Sequence, residues 1–149
     1  MEKKILVKKN EGKWERIPIK SGDREHFVAQ VQAYRENVGM QQFRVGVIEL
    51  EPGQMVGEHK HNCDEILYVL EGQGTFVVDG KEYEAGVGDS VYVAPNVIHG
   101  NHKNAGDKTL RYLFISGQEI APLEEKHLHL VSGKFVTPQP MKSAKDFSK

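Results

Sequence analysis

Residues 53–72 read GQMVGEHKHNCDEILYVLEG, a cluster of histidines and carboxylates that runs directly into an apolar stretch. His59 and His61 are two residues apart, so on an extended strand their imidazoles leave the same face. Glu65 has the same parity, although Asn62, Cys63 and Asp64 between them can bend the chain. Two imidazoles and a carboxylate from one short segment suit a borderline divalent metal such as iron, manganese, nickel, zinc or copper. The competing reading is a polar strand face with two solvated side chains. In EILYVLE, Leu67 and Val69 share the parity of Glu65 and are expected to face an interior. Ile66, Tyr68 and Leu70 face the other way and are apolar too, and a strand apolar on both faces is covered on both. The cover is either packing between sheets and the N-terminal segment or a second copy of the chain, and a homodimer is expected.

Outward from this stretch the chain is strand-rich. Apolar or β-branched runs at WERIPI, FRVGVIELE, GTFVVDG, SVYVA and TLRYLFIS are separated by Gly, Asp, Asn and Pro, the pattern of an all-β sandwich or barrel. Asp79-Gly80 between alternating flanks predicts a tight hairpin, because both residues tolerate positive φ. Segment 23–38, DREHFVAQVQAYRENV, is compatible with a helix or a strand pair. KHLHLVSGKFVTP predicts a further hairpin and QPMKSAKDFSK a frayed polar tail.

A chain of 149 residues is sized for one domain, 1–149. Its core is expected at about 40–120, with strands or an arm over 1–39 and a C-terminal hairpin and tail over 121–149. With 20 basic and 21 acidic residues interspersed, the formal net charge of −1 offers no footprint for nucleic acid or an anionic membrane. A small molecule is the expected partner. No apolar run approaches a membrane span, and the start MEKKILVKKNEGKW lacks a small-residue cleavage site, so a cytoplasmic location is expected. One cysteine, Cys63, cannot form an internal disulfide; beside a polar turn it is expected to be a partly exposed thiol without function.

A second segment, GDSVYVAPNVIHGN (88–101), reads as turn, strand, turn and a histidine, His99. Together the two segments resemble the paired motifs of the cupin superfamily. Gly53, His59, His61, Glu65 and Gly72 satisfy every fixed position of the first, G-x5-H-x-H-x3-E-x6-G. In the second, G-x5-P-x-G-x2-H-x3-N, Gly88 and His99 are correctly separated, while Ala94, Asn96 and Lys103 stand at the proline, inner glycine and asparagine positions. Pro95 and Asn104 lie one residue from two of these, and Asn96 tolerates the positive φ usual for glycine. The departures concern turn chemistry more than ligands.

The resemblance implies a small antiparallel jelly-roll β-barrel with short terminal extensions, and one divalent metal bound by His59, His61, Glu65 and His99. Three nitrogens and a carboxylate leave two positions of an octahedron for water, dioxygen or a chelating substrate. Tyr92, Asn101, Arg111, Tyr112 and Phe114 fall near the barrel mouth or last strand and are candidate substrate contacts, each with ordinary packing or exposure as the competing role. A second pair, His127 and His129, lacks a nearby carboxylate; one polar strand face, with Leu128 and Leu130 packed inward, is expected there. His26 carries no pattern, and His102 has the opposite parity to His99.

Three functions follow from the resemblance. One is a metal-dependent enzyme on a small oxygen-rich metabolite, either an oxygenase or a lyase, isomerase or decarboxylase. Another is a binding or sensing module, and the third a metal-occupied structural or storage protein. Glu65 counts against the thiol dioxygenase branch, which usually lacks that glutamate. Length sets two-domain members such as oxalate decarboxylase aside, but not single-domain relatives. The enzyme is the expected reading, although one fold hosts many chemistries.

Overall fold

Period-two alternation becomes strands along most of the described residues. The computed structural model describes residues 3–9, 11–21, 24–39, 42–117, 127–131 and 134–136. In order these are β1 (Lys13–Ser21), β2 (Arg24–Ala33), a helical turn α1 (Arg35–Val38), β3 (Phe43–Leu50), β4 (Gln54–Val56), β5 (His59–His61), β6 (Glu65–Glu71), β7 (Gln73–Val78), β8 (Lys81–Gly86), β9 (Ser90–Val93), β10 (Leu110–Gly117), β11 (His127–Val131) and β12 (Lys134–Val136). The ambiguous segment 23–38 is mainly strand. Backbone pairing of β2 with β1 on one side and β3 on the other settles it, and only its end turns helical.

The strand pairs are antiparallel. One layer is a seven-stranded sheet, β4-β1-β2-β3-β10-β6-β9. Opposite it stand the sheet β12-β11-β5 and the hairpin β7-β8, joined by the irregular segment around His99 and Lys103, which bridges to His59 and Met55 on one side and to Val78 and Thr75 on the other. The result is an antiparallel jelly-roll barrel. The predicted hairpin turn is present, with φ of 50° at Asp79 and 72° at Gly80 joining β7 to β8 in register. Asn96 takes a φ of 64° where the motif has glycine. The hairpin of β11 and β12 also forms, whereas the tail 139–149 lies outside the described residues.

Between the layers, Leu50, Leu67, Val69, Phe76, Leu110 and Tyr112 form the centre of the core. Strand β10 alternates buried and half-buried positions along its whole length, because its inner face meets this core while its edges pair with β3 and β6. Strand β6 alternates as expected, with Glu65, Leu67 and Val69 inward. On its outer face Ile66, Tyr68 and Leu70 remain 41%, 40% and 37% exposed, so of the two expected covers, packing by the N-terminal segment is not found among the described residues.

Candidate metal centre

His59 and His99 face each other across an antiparallel bridge and exchange both backbone hydrogen bonds, at 2.7 and 2.9 Å. Directly opposed residues place side chains on one face, and the two rings lie 4.1 Å apart, centroid to centroid. His61 follows His59 on β5 with its ring 4.7 Å from that of His99. Glu65 comes from the other layer. The chain crosses from β5 to β6 through Asn62, Cys63 and Asp64, so the shared parity of the histidines and Glu65 along one strand is not what brings them together. All four side chains are buried, and one ligand atom from each lies within 4.8 Å of the others.

The donor set fits a metal ion. Nδ1 of His59 contacts the Gly57 carbonyl at 2.9 Å, Nδ1 of His61 the Cys63 carbonyl at 3.0 Å, and Nδ1 of His99 the Val97 carbonyl at 2.9 Å. A carbonyl only accepts, so each Nδ1 carries its proton and each neutral ring keeps its Nε2 lone pair for the centre. Nε2 of His61 and of His99 approach the same Glu65 oxygen at 3.0 and 3.1 Å. Without a cation this cluster holds a proton in its place. Burial alone would push His61 down and Glu65 up, but their hydrogen bonds prevail: those of His61 to Cys63 and Glu65 raise it from 6.5 to about 10, and those of Glu65 to His61 and His99 hold the carboxyl well below the usual range.

Cys63 is buried rather than partly exposed, its Sγ 3.6 Å from His61 Nδ1. The bend after β5 turns it inward, and its carbonyl orients a histidine of the cluster. Of the candidate substrate contacts, Tyr112 and Phe114 line a small cavity beside His59 and Glu65, together with Arg44, Ile48, Val56, Leu67 and His102. Arg44 is held by Nε donating to Ser116 Oγ at 2.9 Å and lies over the Phe114 ring. The other three sit elsewhere. Tyr92 is 59% exposed on edge strand β9 and donates to Asp64; Asn101 donates to Glu58; Arg111 pairs with Glu49 on the neighbouring strand.

His102 is the residue that parity missed. Gly100 and Asn101 adopt φ of 123° and 52°, so the strand is broken there and alternation does not carry through from His99. His102 is fully buried against Phe76. Two histidines flanking a Gly-Asn pair were the only signal. For the second histidine pair, backbone register sets His127 opposite His61 and His129 opposite His59. Their side chains, and with them the expected inward packing of Leu128 and Leu130, lie outside what is described, as does the side chain of His26.

Residues 46–116 match the Cupin domain family. Over 69 residues the chain is 35% identical to an oxalate-binding protein of Thermotoga maritima, covering 46% of this chain and 56% of that protein. Over 70 residues it is 31% identical to dimethylsulfoniopropionate lyase DddW of Ruegeria pomeroyi, covering 47% and 45%. The matched part thus spans about half the length of these curated relatives. A crystal structure of a predicted oxalate decarboxylase from Thermotoga maritima superposes with a TM-score of 0.62 at 27% identity, over 76% of this chain and 98% of that one. With both motifs placed on a jelly-roll barrel and their four ligand-type side chains converging, residues 46–116 match a cupin domain in sequence and in architecture.

Proposed function

We propose that the protein is a metal-dependent enzyme acting on a small, oxygen-rich chelating metabolite, with one divalent transition metal held by His59, His61, Glu65 and His99. The observation that carries this reading is the common aim of the donors. Three rings are locked through Nδ1 to backbone carbonyls, and their remaining nitrogens share one buried point with a carboxylate. A bound ion of this kind supplies Lewis acidity to a chelating substrate or, with a redox-active metal, chemistry with dioxygen.

The chain's own residues set the terms for that substrate. Ile48, Val56, Leu67 and Phe114 keep the adjoining cavity apolar, while Arg44, steadied by Ser116 and Phe114, places a cation at its wall. An anionic chelator such as a dicarboxylate or a 2-hydroxy acid suits this lining better than a neutral sugar. The uncovered apolar face of Ile66, Tyr68 and Leu70 serves as the contact of a homodimer in this reading. The relatives named for oxalate binding and for lyase activity are consistent with a carboxylate ligand.

The test is to load the protein separately with iron(II), manganese(II) and zinc(II) and present dicarboxylates, 2-hydroxy acids, enediols and catechols. Substrate loss and oxygen uptake are followed. Turnover with one metal, abolished by a chelator and in His99→Ala, is expected. A second reading, capture without turnover, is favoured by the small size of the cavity. Stoichiometric ligand binding with no conversion under any metal would establish it instead.

A further inference from the structure

Two of the residues that line the cavity beside the cluster carry a buried polar atom with no partner among the described residues: His102 Nε2 and the Tyr112 hydroxyl. Their residues are 1% and 0% exposed. The tautomer of His102 follows from its other nitrogen. The Val77 backbone N–H donates to His102 Nδ1 at 3.1 Å, so Nδ1 holds a lone pair and the proton sits on Nε2. His102 therefore presents an unspent N–H donor. Tyr112, edge-on to His102 with ring centroids 6.4 Å apart, presents a hydroxyl able to donate or accept. Burial keeps both neutral, lowering His102 to about 3, with the nearby His99 adding to the shift, and raising Tyr112 well above 10.

Leaving a buried donor unsatisfied is expensive, and two around one space are rarely retained without a partner. Neither satisfies the other. The free space is about 10 Å³, close to what one water or one ligand oxygen occupies. We propose that His102 and Tyr112 form a ligand subsite beside the three-histidine, one-glutamate cluster, where His102 Nε2–H and the Tyr112 hydroxyl together hold one oxygen of a small carboxylate ligand. The inference rests on the metal-dependent reading above and names the group that its substrate presents on this side.

The probe is oxalate, titrated into the cobalt(II)-loaded full chain and followed by visible absorption. Tyr112→Phe removes only the hydroxyl. His102→Asn keeps an acceptor for Val77 but loses the far donor, and His102→Gln places an amide N–H near the Nε2 position. Tyr112→Phe and His102→Asn are expected to bind cobalt as the parent does and oxalate about tenfold more weakly or worse, with His102→Gln recovering part of the loss. Metal-free Tyr112→Phe is expected to melt no lower than the parent, since the Tyr112 hydroxyl has no partner among the described residues. Unchanged oxalate affinity in Tyr112→Phe and His102→Asn with full cobalt content would overturn the subsite alone. So would a cobalt-loaded parent that does not bind oxalate, or a Tyr112→Phe that loses stability but no affinity. A parent that takes up no cobalt would overturn the metal-dependent reading, and the subsite with it.

Discussion

Metal binding should expel a proton from His61, and affinity should therefore rise with pH. In the metal-free protein burial works against a charged His61, but its hydrogen bonds to Cys63 and Glu65 outweigh it and raise its pKa to about 10, so that it stands as an imidazolium. A metal needs the Nε2 lone pair that this proton occupies, whereas the Nδ1 proton stays with the Cys63 carbonyl. Binding at about pH 7.5 thus releases about one proton from His61, and the apparent association constant rises about tenfold per pH unit, roughly a hundredfold over two units. The assay is calorimetric titration of zinc(II) into chelator-treated protein, repeated in two buffers of different protonation enthalpy. In Glu65→Gln the imidazolium loses the carboxylate that holds it, so proton release and affinity should both fall. An affinity flat across that range, or binding without proton release, would show that His61 carries no second proton in the metal-free protein.

The metal-free protein should show the opposite trend. Between 6.5 and about 10 the folded state binds more protons at His61 than the unfolded state, so this contribution to stability is complete below 6.5 and is lost as pH rises toward 10; urea unfolding at a series of pH values checks the sign. Gly100→Ala should cost about 2 kcal/mol or more, because φ there is 123° and an added Cβ would press on the Gly57 carbonyl and the Glu58 backbone; thermal melts measure it, and an unchanged melting temperature would contradict the close approach. Ile66→Asp/Tyr68→Asp should sediment as a monomer with full metal content while the parent sediments as a dimer, and a monomeric parent would remove the proposed interface.

Local pattern carried the barrel well where the backbone stays extended. Glu65, Leu67 and Val69 alternate inward as read, and Asp79-Gly80 turns as its conformational tolerance requires. Parity failed where the chain leaves extended geometry. His102 lies after a Gly-Asn break, and Glu65 sits across the barrel from the histidines rather than along their strand. The burial of Cys63 and the cavity shared by Arg44, His102 and Tyr112 arise from residues far apart in sequence meeting between layers, which no periodicity encodes. Strand 24–33 was ambiguous for the same reason: its partners on both sides, not its own residues, decide it.

Metal binding by the cluster is tested by elemental analysis of the protein purified without a histidine tag or chelator, beside His59→Ala and His99→Ala. Because the core is built from apolar strands and not from the cluster, both variants should fold, as circular dichroism and melting would show. A near-stoichiometric transition metal is expected in the parent, and its loss from both variants. A metal content that is the same in folded variants and parent would contradict the assignment of the site.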